Sequence, residues 1–111
     1  METILAKRTK QIQASYNQLV QLEDIYCKLG YDYGLISDEM IDSLRQNQSV
    51  KKKIKENTEI KSMAEFTREY ELSAEYLILK SCKYQLKAIE RLMSGLKVRI
   101  ESLRAESRGI N

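Results

Sequence analysis

Seven positions near the carboxy terminus, Cys82, Leu86, Ile89, Met93, Leu96, Ile100 and Leu103, are all apolar and follow one another at spacings of 4, 3, 4, 3, 4 and 3. That alternation places every one of them on a single stripe of an α-helix and is the pattern of a coiled-coil seam. Few features constrain a chain more, because a dry stripe of this length must be covered by another element of comparable length. The chain contains no proline, and Gly95 is the one glycine within the stripe. Upstream, Ser62 followed three residues later by Glu65 is a capping-box signature. The pattern therefore predicts one long helix from about 62 to 107, roughly 70 Å at about 1.5 Å per residue. Phe66, Tyr70, Ala74 and Ile78 recur every four residues, so the apolar stripe is expected to drift around the helix before the seam begins.

The amino-terminal half offers less. Ile12, Tyr16, Leu19, Leu22, Tyr26 and Leu29 form a helical stripe, and Gly30 follows as a C-terminal glycine would. The spacing predicts helix 1 over about 2–29. The segment "GYDYGLIS", with two glycines and an aspartate, reads as a turn over 30–37. Ser37 can cap a second helix, with Asp38 and Glu39 in its first turn, where the helix dipole favours negative charge. That helix and a polar connector fill about 38–61. The expected fold class is all-α: long helices in a helical hairpin or coiled-coil bundle with a long C-terminal helix, one domain over 1–111. Helix 1, at about 28 residues, is too short to cover the long helix, and a chain of 111 residues buries little apolar area alone. Self-association through the Cys82–Leu103 seam into a homo-oligomer is the expectation.

Composition narrows the function. Histidine is absent, and the two cysteines, Cys27 and Cys82, have no paired spacing, so no metal site is expected. No Walker loop, dinucleotide fingerprint or nucleophile elbow occurs, and the carboxylates are scattered, so the chain reads as a non-enzyme without cofactor. It has no apolar run long enough for a membrane span and no secretory leader pattern, and reads as a soluble cytoplasmic protein. Cys82, on the seam, is expected to be inert, and Cys27, one position off the helix 1 stripe, to be more accessible.

Charge is distributed unevenly. Lys80, Lys83, Lys87 and Arg91 fall on the face opposite the seam, with Tyr84 among them. A row of cations interleaved with an aromatic suits the phosphates and bases of a single-stranded nucleic acid. Lys51, Lys52, Lys53 and Lys55 form a second basic run, readable as an anion site or as a solvated face. Acidic residues (Glu65, Glu69, Glu71, Glu75) precede the basic part of the long helix, which favours antiparallel or staggered pairing between copies and competes for the same lysines.

The order Cys82, Leu86, Ala88, Ile89, and then Ile100, Arg104, Ala105, Gly109, resembles the end of the UvsY family, the recombination mediators of tailed bacteriophages. The match covers about 30 residues, with a one-residue length difference near Gly95, and extends more weakly back to Ser62. The resemblance implies a non-enzymatic protein that forms ring-like homo-oligomers and binds single-stranded DNA. It also implies partners: a recombinase, loaded with the protein's help onto strands covered by a single-strand-binding protein. The family's DNA-binding segment is a basic stretch followed by aromatics, placed amino-terminal to the matched part. Here "CKLGYDYG" has tyrosines with one lysine, and "VKKKIKE" has lysines without aromatics. The alternative class is a coiled-coil adaptor, structural subunit or helical chaperone that binds protein partners only.

Overall fold

The structure is a computed structural model that describes residues 2–109. Four helices are formed among the described residues: α1 (Ile4–Ala14), α2 (Leu19–Lys55), α3 (Met63–Glu71) and α4 (Ala74–Ser107). The chain divides into two compact units. The first joins α1 and the beginning of α2, up to Leu35, with α4 from Gln85 onwards. The second spans Ile36–Tyr84 and holds the rest of α2, all of α3 and the beginning of α4.

In the first unit α2 and α4 run antiparallel. Glu23 accepts a hydrogen bond from Arg104 at 2.6 Å, Tyr33 donates to Glu90 at 2.9 Å, and Gly30 lies beside Met93. Leu22, Ile25 and Leu29 of α2 are buried, as are Leu86, Ile89, Leu96, Ile100 and Leu103 of α4, while Met93 is half-buried. The third helix of this unit, α1, is capped by Thr3, whose hydroxyl accepts from the Ala6 amide. Its Arg8 grips the buried carboxylate of Asp32 with two hydrogen bonds, of 2.7 and 3.2 Å. That carboxylate pushes the Arg8 pKa above its ordinary value, mainly through the hydrogen bond. The turn after α1 is held by Arg99, which donates to the Tyr16 carbonyl at 2.9 Å and to the Asn17 side chain.

In the second unit the buried line on α2 continues through Ile36, Ser43 and Asn47, and Leu79 and Cys82 of α4 are buried. Asn47 donates to the Ser43 carbonyl at 2.7 Å within α2 and to the Glu75 carbonyl of α4 at 2.9 Å. In both units, then, the apolar stripe of α4 is covered by α2 of the same chain. Cover for this stripe within the chain comes from α2, which at 37 residues is long enough to provide it.

The corrections to the expected elements have physical causes. There is no turn over 30–37, and Ser37 lies inside α2 rather than at its start. Gly30 and Gly34 cost the helix about 1 kcal/mol each relative to alanine. Leu29 and Ile36, both buried, return about 1.5–3 kcal/mol each, so continuing the helix wins. The expected helix over 2–29 is instead broken at 15–18, where Ser15 and Asn17 form a turn that Arg99 fastens. The expected 62–107 helix begins as read: the Ser62 hydroxyl accepts from the Glu65 amide, and Glu65 reaches back to the Lys61 amide. It is interrupted at Leu72 and Ser73. The Ser73 hydroxyl donates to the Tyr70 carbonyl at 2.6 Å and accepts from the Tyr76 amide at 3.2 Å, closing one helix and capping the next.

This packing makes two outcomes testable. Replacing Arg8 by alanine strands the Asp32 carboxylate in a buried position and should cost about 3–5 kcal/mol in chemical denaturation, whereas the Arg8→Met, Asp32→Leu pair should be close to neutral. Cys27 is exposed and Cys82 buried, with its thiol pKa raised first by desolvation and then by Glu39. A thiol probe should modify Cys27 at the rate of a free thiol and Cys82 only through transient opening, followed by mass spectrometry of the two peptides.

Candidate nucleic-acid interface

The basic run at the end of α2 lacks aromatics in sequence, and the second unit supplies them from α3. The Lys51 ammonium lies 4.7 Å from the centre of the Tyr70 ring, and Lys55 lies 5.8 Å from that of Phe66. Both rings are half-buried. Each contact is worth about 0.5–1 kcal/mol where water has access. Lys52, Lys53 and Lys55 occupy the last turn of α2, where cations also offset the unpaired carbonyls of the helix end. The basic run therefore has a structural task besides any ligand. Lys52 and Lys53 project into solvent and form no ion pair among the described residues.

Tyr70 fastens α3 in place. Its hydroxyl donates to Asn47 at 2.6 Å, and its ring meets Tyr76 edge-on, with centres 5.0 Å apart. Desolvation raises its pKa above the usual tyrosine value, and Tyr76 adds to the shift. Asn47 is 2 % exposed and has all its polar atoms engaged, across α2, α3 and α4 within this unit. Neither Asn47 nor Asp32 stands out in the sequence as a functional residue. A signal is nevertheless there: continuing the three-four spacing of α2 beyond Leu29 lands on Asp32 and Ile36, and later on Ser43 and Asn47.

The four cations named on α4 and the tyrosine among them are all exposed: Lys80, Lys83 and Tyr84 in the second unit, Lys87 and Arg91 in the first. Lys80 lies 5.9 Å from the centre of the Tyr84 ring, which is 63 % exposed. None of the four cations forms an ion pair with a described residue. By contrast, Arg99 and Arg104 are spent on Tyr16, Asn17 and Glu23 within the fold. Within the chain Glu65, Glu69, Glu71 and Glu75 make no salt bridge to the α4 lysines; their expected pairing is with a neighbouring copy.

No helix among the described residues is long and apolar enough to cross a membrane. No protein-family model matches this chain, and no curated protein and no solved structure matches it either. Each unit pairs a part of α2 with a part of α4, and each carries exposed cations of α4 that form no ion pair with a described residue.

Tyr70→Phe should leave the Asn47 acceptor unpaired and loosen α3 by about 1–3 kcal/mol, read as faster amide exchange over 63–71 with α4 unchanged. The pH dependence has a definite sign. Folding raises the Tyr70 pKa, so its stabilising contribution is complete below the unfolded value of about 10 and disappears as the pH climbs through the raised folded value. Wild-type protein should lose α3 protection in that alkaline window, and Tyr70→Phe should not show the step.

Proposed function

We propose that this protein is a non-catalytic helical hairpin that binds single-stranded nucleic acid, DNA in the first instance, through the exposed cations of α4 and the end of α2. The observation that carries the reading is that Lys80, Lys83, Lys87 and Arg91 are exposed and unpaired, with Tyr84 beside Lys80. Solvated cations that the fold does not use can exchange small counterions for phosphates, and an exposed ring offers a base a stacking surface. The pairing of Lys51 and Lys55 with Tyr70 and Phe66 supports it too, since it assembles a basic and aromatic surface that the linear sequence lacks. In its narrowest form, taken from the resemblance of the carboxy-terminal helix to the UvsY family, binding serves to load a recombinase onto strands held by a single-strand-binding protein.

A second reading is favoured by a different observation. In the second unit Met63, Leu72, Leu77, Ile78, Ile41 and Leu44 are all more than 40 % exposed. Apolar side chains in that number suit a protein partner or another copy of the chain. Assembly of that kind would use these side chains and not the covered stripe from Cys82 to Leu103.

Lys83→Glu combined with Lys87→Glu separates the two. On the nucleic-acid reading, affinity for an oligothymidine falls and its salt dependence flattens, by about 0.7 in the log–log slope for each phosphate no longer neutralised, while helicity and sedimentation stay as in the wild type. On the adaptor reading the wild type shows no salt-dependent binding to lose. Absence of binding by the wild type at low salt contradicts the proposal.

A further inference from the structure

The first unit contains a pocket of about 200 Å³ between the end of α1 and α4, with Ile12, Leu92 and Leu96 as its apolar lining. Tyr16, Arg91 and Arg99 line it as well. Drug-sized ligands occupy pockets of roughly 300–1,000 Å³, so this one suits a single planar ring system. Tyr16 and Arg99 are already stacked, with the guanidinium 4.2 Å from the ring centre. Arg99 is fixed there by its bonds to the Tyr16 carbonyl and Asn17, so the stacked pair is preorganised. Arg91 is exposed and has no ion-pair partner among the described residues.

Gly95 lines the same pocket. It sits in the interior of α4, where glycine costs about 1 kcal/mol relative to alanine. Nothing in the fold repays that cost, since a Cβ built at Gly95 has no atom within 4 Å. The missing side chain leaves open space beside a fixed aromatic–guanidinium stack and a free arginine.

Resting on the proposed binding of single-stranded nucleic acid, we infer that this pocket receives one base of the strand. The base would lie over Leu92 and Gly95 against the Tyr16–Arg99 stack, with Arg91 and the neighbouring Lys87 taking the flanking phosphates. Charge complementarity favours this occupant over an apolar peptide, because two arginines frame an opening that would otherwise suit a small hydrophobic side chain. Stacking of a base on an aromatic surface is tolerant of sequence, so little base preference is expected.

The test uses Gly95→Leu, which fills the pocket, leaves charge unchanged and replaces a poor helix former with a good one. Helicity and melting temperature should be maintained or raised. Wild-type protein should bind oligothymidine about tenfold more tightly than an abasic oligonucleotide of equal length and charge. In Gly95→Leu that preference should vanish while abasic binding stays as in the wild type, and Tyr16→Ala should reproduce the effect. Equal wild-type affinity for the two strands, or a preference that survives in Gly95→Leu, overturns the pocket and leaves phosphate binding standing. Failure to bind either strand at low salt overturns the broader reading along with it. Thymidine monophosphate is the last arm: binding as tight as that of the oligonucleotide would mean a free nucleotide site and overturn the assignment to a strand.

Discussion

The structure depends on one requirement: the apolar stripe of α4 has to be kept dry, and α2 of the same chain does it. Everything else is arranged around that pairing. The polar residues on the α2 line, Asp32, Ser43 and Asn47, sit where an apolar residue would be expected. Each is engaged, and two of them recruit a short helix: Asp32 holds α1 through Arg8, and Asn47 holds α3 through Tyr70. Buried polar groups of this kind need their partners, because an unmatched one costs as much as a large apolar side chain contributes. The two short helices are thus fastened by single residues on α2, and their placement follows from its register.

Charge follows the same antiparallel logic. α2 ends on a run of lysines, and α4 carries one glutamate in its first turn and an arginine in its last. Within the first unit Glu23 at the start of α2 meets Arg104 near the end of α4. Within the second, Lys51 and Lys55 at the end of α2 meet Tyr70 and Phe66 of the acidic α3. Of the cations on α4, Arg104 finds its carboxylate within the chain, on Glu23. The cations left over are those on the exposed side of α4 and at the end of α2, and these carry the proposed function.

The part of the fold legible in the sequence is the part written in spacing. The stripe from Cys82 to Leu103, the Ser62–Glu65 cap and the all-helical class follow from local rules that tertiary context does not override. The continuity of α2 does not, because two glycines within five residues outweigh a weak apolar pattern until the burial of Leu29 and Ile36 is known. A turn at 30–37 shortens helix 1 and hides the cover that α2 gives α4 within the chain. The break at Ser73 is written plainly as a serine before Ala74 and Glu75, but a serine inside an uninterrupted helical pattern also reads as a surface residue. For the surface, spacing alone places Lys80 to Arg91 on an exposed face. Spacing does not foretell that Tyr70 and Phe66 come to Lys51 and Lys55, or that Tyr16 and Arg99 stack across more than 80 positions.

The central claim is that α4 is covered from within the chain. An intramolecular hairpin unfolds at a temperature independent of concentration, whereas helices that need a second molecule gain stability by mass action. Far-ultraviolet circular dichroism melts across a roughly hundredfold dilution series, in which Ile41, Leu44, Leu77 and Ile78 are replaced by serine to silence the exposed apolar side chains, measure this directly. The account predicts full helicity and one unchanged midpoint throughout the series. Helicity that fades on dilution, with a midpoint that falls alongside it, would contradict it.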